Sequence, residues 1–152
     1  STTTALIHHV LTQSGVNNVM GGNIGRPVLD LNITPHKTLA VFELSSYQLD
    51  LCPSFRPDIS VLLNLTPDHL DRHGSMEAYI AAKERIFEGD GVALCSIDDE
   101  QTKNVYDRTV KAGFRRVYAL SVHKTPLQGV FVNDGYLYDH LKKKIFNGEI
   151  EQ

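Results

Sequence analysis

Leu39-Ala40-Val41-Phe42-Glu43 is a continuous apolar run of strand length that ends on a carboxylate. A run without polar alternation reads as a strand buried on both faces, as in a parallel sheet covered by helices. Ile59 to Leu65, Gly91 to Ile97 and Arg116 to Leu120 repeat the pattern, and Val16 to Met20 is a shorter candidate. Between these runs the spacing turns helical, from Ser1 through Val10-Leu11 to Gly15 and again from Ser75 to Phe87. Asp98 is read as the cap of a further helix ending at Gly113. The tail differs: Val130-Phe131-Val132, Asn133-Asp134-Gly135 and Tyr136-Leu137-Tyr138 read as a β-hairpin, with another strand expected around Ile145-Phe146. The expected fold is α/β, a mostly parallel sheet flanked by helices with a β-hairpin near the C-terminal end.

The 152 residues are enough for one domain with a core. A net charge of -3 argues against a nucleic-acid backbone as partner. The basic run Lys142 to Lys144 is short and reads as a solvated strand or turn. No apolar run approaches the length of a membrane span, and no signal peptide opens the chain. Cys52 and Cys95 match no zinc spacing; Cys95 lies in a strand pattern and reads as core. Two unpaired thiols fit a reducing cytoplasm.

In open α/β sheets ligands gather beyond the carboxyl ends of the strands, and three polar clusters fall at such positions. Ser1-Thr2 opens a helix, where free N–H groups and the dipole favour a phosphate and a hydroxyl can ligate magnesium; plain capping fits the same residues. Glu43 ends a buried strand, the way phosphate-loop enzymes place a carboxylate near magnesium; a cap on the next turn, helped by Ser45 and Ser46, is the alternative. Asp68-His69-Leu70-Asp71-Arg72-His73 offers groups for a divalent metal or an anionic substrate, though Asp and His also make ordinary turns. His69 and His73 are spaced for zinc only if the stretch is helical.

Lys83 falls on the apolar stripe of Met76, Tyr79, Ile80, Ile86 and Phe87. An inward lysine is costly unless it is paired or functional, or unless its stem snorkels to solvent. Desolvation there is expected to lower its pKa. Arg26, after Gly25, is a weak substrate candidate. His8, His9, His36, His123 and His140 are read as ordinary surface or helix residues.

Five segments occur in a telling order: Ser1-Thr2-Thr3-Thr4, Gly21-Gly22-Asn23-Ile24-Gly25-Arg26-Pro27, Glu43-Leu44-Ser45-Ser46-Tyr47-Gln48-Leu49, Asn64 through His73, and Tyr79-Ile80-Ala81-Ala82-Lys83. Each is weak alone; together they closely resemble the Mur ligase family. The motifs cover about residues 1 to 99, and the rest follows by general pattern. The second and third resemble the members that add D-glutamate to UDP-N-acetylmuramoyl-L-alanine.

The resemblance implies a phosphate-loop NTPase-like fold and ATP-dependent amide ligation through an acyl phosphate, in peptidoglycan precursor synthesis. It implies ATP and Mg2+ as cofactors and a cytoplasmic monomer. Ser1 and Thr2 would close the phosphate loop and reach phosphate or magnesium, and Glu43 would ligate a magnesium between the phosphates. Asn23 and His69 would lie near the substrate, His69 also facing a second magnesium. Lys83 would be carbamylated and serve as an anionic group at that metal.

The family's Gly-Thr-x-Gly-Lys does not precede Ser1 in this sequence. The chain is therefore expected to be part of a central ATP-binding domain, residues 1–152, without the UDP-binding and amino-acid-binding domains, and inactive alone. Another Mur-type or folylpolyglutamate ligase, or a non-catalytic α/β binding module, are the alternatives.

Overall fold

The computed structural model describes residues 1–141 and the backbone of 148–149. The expected strand at Ile145-Phe146 and the run Lys142 to Lys144 lie outside the described residues. The chain forms two compact units, Ser1–Leu51 and Cys52–Gln152.

In the first unit α1 (Thr2–Gln13) packs against a parallel pair of strands, β1 (Asn18–Gly22) and β2 (Leu39–Glu43). A short α2 (Ser46–Leu51) follows. The apolar face of α1 is open, with Leu6 59% and Val10 53% exposed. Strand β1 extends past the expected Met20, because Gly21 and Gly22 pair with Phe42 and Glu43. Glycine is what lets it do so. Gly22 sits at φ +109, and a Cβ there would meet the Glu43 carbonyl oxygen at 2.3 Å.

The second unit is a six-stranded sheet in the order β3-β4-β5-β6-β7-β8. Its strands are β3 (Ile59–Leu62), β4 (Val92–Ser96), β5 (Arg116–Ser121), β6 (Gly129–Asn133), β7 (Tyr136–Asp139) and β8 (Gly148–Glu149). The first three pairings are parallel and the last two antiparallel. The predicted hairpin joins β6 to β7, with Asp134 at φ 50 and Gly135 at φ 78 in its turn. Two positive-φ residues give the turn twist that antiparallel strands need. Strand β3 is shorter than its apolar run, because pairing with β4 stops at Leu62↔Cys95; Leu65 is nonetheless buried.

Helices α3 (Leu70–His73), α4 (Met76–Glu84) and α5 (Glu100–Ala112) complete this unit, and a 3-10 turn at Arg85–Phe87 extends α4. Tyr79, Ile80 and Phe87 of the expected stripe enter a core with Leu62, Ala93 and Val105. Cys95 is fully buried in that core, and burial, then the charges of Asp99 and Glu84, push its thiol up to about 12.

The cap of α5 is a correction. Asp99, not Asp98, accepts the Thr102 N–H at 2.8 Å. Asp98 instead takes the Ser121 hydroxyl and the Val122 N–H, joining the ends of β4 and β5. Adjacent aspartates look alike in sequence; only the parallel pairing brings the end of β5 to one of them. His8 lies in α1 as a helix residue, and His140 follows β7. His8 Nδ1 lies 2.5 Å from Asn18 Oδ1, and the His140 ring packs edge-on against Phe131 at 4.9 Å.

Candidate active site

Three predicted residues of the first unit converge. Strand β2 ends on Glu43, and α1 begins beside that end. The Ser1 hydroxyl donates to Glu43 Oε1 at 2.9 Å. The Ser1 ammonium lies 2.9 Å from Oε2. Oε2 is shut from solvent, and beyond that ion pair it has no hydrogen-bond partner among the described residues. The Asn23 N–H donates to the Glu43 carbonyl at 2.7 Å, so the glycine loop is tied to the same strand end. Burial acts to raise the Glu43 pKa, but the Ser1 ammonium and hydroxyl and the Asn23 side chain outweigh it and hold the carboxyl below its ordinary range. Glu43 is therefore a carboxylate at neutral pH.

Thr2 is the first residue of α1 and is exposed. The first N–H groups of a helix have no intrahelical acceptor, so this end favours an anion. A buried, partly satisfied carboxylate oxygen beside a serine hydroxyl and a helix N-terminus fits magnesium carried on a polyphosphate. Magnesium takes one or two carboxylates, keeps several waters and draws its other ligands from phosphate oxygens. Among the described residues no group of three or more His, Cys, Asp or Glu forms a closed metal cage. The zinc reading of His69 and His73 is accordingly corrected: only Leu70–His73 is helical, and His69 stands outside it in a left-handed conformation.

The other two predicted residues belong to the second unit. His69 has φ 54 and pairs with Asp68 at 3.4 Å. A non-glycine residue held there is uncommon, and such residues concentrate at functional sites. Lys83 lies in the last turn of α4, half-buried, one turn beyond the buried Tyr79 and Ile80. The inward face read from the sequence is therefore the one it occupies. Arg26 is exposed and spends one guanidinium N–H on the Asp30 carbonyl at 2.6 Å. Sequence reasoning missed that the His73 ring meets Tyr79, because the contact crosses from α3 to α4 and no periodicity within one helix signals it.

Residues 1–148 match the family described as the Mur ligase middle domain. The chain is 49% identical over 138 residues to UDP-N-acetylmuramoylalanine--D-glutamate ligase of Chelativorans sp. (strain BNC1), covering 91% of this chain and 29% of that protein. It is 45% identical over 148 residues to the enzyme of the same name in Caulobacter sp. (strain K31), covering 95% of this chain and 32% of that one. It thus spans about a third of the length of these curated relatives. The crystal structure of MurF ligase from Thermotoga maritima in complex with ADP superposes with a TM-score of 0.61 at 19% identity, over 90% of this chain and 34% of that one. A MurF structure from Acinetobacter baumannii gives 0.62 at 17% identity, over 90% of this chain and 32% of that one. At such identities the two structures speak for the fold alone. No helix among the described residues is long and apolar enough to cross a membrane.

Proposed function

Because the chain belongs to the Mur ligase family through that family's middle domain, we propose that it is the ATP-handling part of a ligase that joins D-glutamate to UDP-N-acetylmuramoyl-L-alanine. The names of relatives at 45–49% identity support this substrate pair. The observation that carries the reading is the Glu43 carboxylate at the end of β2, which accepts the Ser1 hydroxyl at the start of α1 at 2.9 Å.

In the proposed reaction the alanyl carboxylate oxygen attacks the γ-phosphorus of ATP, and ADP leaves. The amine of D-glutamate then attacks the acyl carbon, loses a proton, and phosphate departs with its oxygen. Such phosphoryl transfer depends chiefly on positioning and on neutralising charge. Magnesium would supply that neutralisation: Glu43 and Thr2 of the first unit would hold one ion, and His69 and Lys83 of the second unit, the last as a carbamate, would face a second. The N-terminus of α1, with Ser1 and Thr2, would bind phosphate oxygens. Asn23 and His69 would orient the substrate. The unpaired thiols Cys52 and Cys95 fit a reducing compartment, and the cytoplasm is the proposed location.

The test is Glu43→Ala in the full-length enzyme, followed by turnover and a thermal melt. Turnover is expected to fall by at least about a hundredfold while melting stays close to wild type. Near-normal turnover at saturating magnesium would overturn the reading and leave Glu43 as a cap.

A further inference from the structure

His73 is a member of the Asp68 to His73 cluster that the proposed reaction leaves without a task, and it has a specific neighbour. Its ring meets that of Tyr79 edge-on, with centroids 5.6 Å apart and planes at 62°. Tyr79 is only 6% exposed, so the contact is made against a fixed, buried ring.

The two rings stand at informative places in the chain. His73 closes the single turn of α3, whose N-terminal flank is His69. Tyr79 lies one turn before Lys83 on the same face of α4. Only Gly74 and Ser75 separate the two helices. Both linking residues have assigned backbone roles. Gly74 ends α3 at φ 78, and the Ser75 Oγ accepts the Ala78 N–H at 3.2 Å to start α4. The corner is therefore shaped by its backbone, and the ring pair is a side-chain contact across it. Burial first, and then the charge of Asp68, raise the Tyr79 pKa, so the residue before His69 is also felt at this ring.

We propose that His73 and Tyr79 are positioning residues, whose ring contact fastens the segment carrying His69 to the helix carrying Lys83. The inference rests on the roles proposed above for His69 and Lys83. Without the contact α3 can swing on Gly74, and His69 leaves the geometry that the reaction needs. Small misplacements of that kind act on the chemical step more than on substrate affinity.

The experiment uses the full-length enzyme with His73→Ala and His73→Phe, the second keeping an aromatic edge against Tyr79. His73→Ala is expected to lower kcat about tenfold with the KM for ATP within about twofold, and His73→Phe to recover most of kcat. If His73→Ala melts early, His73→Leu, which fills the space without a ring, is read in its place. Labelling of Lys83 by a water-soluble acylating reagent, in nucleotide-free protein, is expected to quicken in the ringless variant and not in His73→Phe. An unchanged kcat without the ring, or a His73→Phe enzyme no better than His73→Ala, overturns the proposal. His69→Ala and Lys83→Ala serve as controls. Near-normal activity in those two removes the roles on which the inference stands, whereas their loss beside a normal His73→Ala removes the ring joint alone.

Discussion

Arg115 is a single residue that organises much backbone. It is 6% exposed, and its guanidinium donates to four carbonyls: Gly91 at 3.1 Å, Ile86 and Glu88 at 3.3 Å each, and Pro57 at 2.6 Å. These oxygens belong to the turn after α4 and to the chain just before β3 and β4, so one planar fork joins three segments. Arg115→Ala leaves them with no donor of that reach and is expected to cost about 3 kcal/mol of unfolding free energy. Arg115→Lys is expected to recover only part, because an ammonium cannot spread its donors across the same span. Urea unfolding of the three proteins checks this; a loss below about 1 kcal/mol in Arg115→Ala would contradict it. Glu43 is the contrasting residue. Its partners serve one carboxylate at a strand end, so its value is expected in turnover and not in the melt.

At the scale of elements, α5 shows how the helix ends are specified. Asp99 caps one end, and Gly113, at φ 73, closes the other. The Asp99 carboxylate accepts both the N–H and the hydroxyl of Thr102, which is fully buried. Asp99→Ala is expected to lower unfolding free energy by about 1 kcal/mol, and Asp99→Ser to recover most of it. Equal losses in the two variants, measured by denaturant titration, would show that the carboxylate acts otherwise than as a cap. The hairpin of β6 and β7 was legible to within a residue or two because its turn is chemically specified by Asp134-Gly135. Strand β1 was placed short because Gly21-Gly22 has loop chemistry, and only a partner strand turns it into ladder.

For the whole molecule, acid is expected to act through a carboxylate in each unit. Asp98 is raised by burial but lowered more by the Ser121 hydroxyl, the Val122 N–H and His123, and so lies below its ordinary range. Glu43 is lowered in the same net sense. A carboxyl whose folded pKa is depressed binds its proton more readily in the unfolded chain. Its stabilisation is full above the unfolded value of about 4 and is lost as pH falls through the folded value. The stability of the 152-residue chain is therefore expected to decline as pH falls below about 4, and less steeply in Asp98→Asn. Urea midpoints across that range test this; parallel declines would show that Asp98 contributes nothing to the acid response.

The sequence by itself determined the α/β alternation, the buried strands, the hairpin, the inward face bearing Lys83 and the strand end bearing Glu43. Those features are written in local periodicity and turn chemistry, which neighbouring residues express without help from distant ones. The tertiary structure alone decided which aspartate caps α5, that Gly21 and Gly22 belong to a strand, where Arg115 spends its donors, and that His73 meets Tyr79. Each of these depends on a partner that the fold supplies: a parallel strand, three separate backbone segments, or a ring across a helical corner. Local sequence lists the donors and acceptors, and chain packing chooses among them.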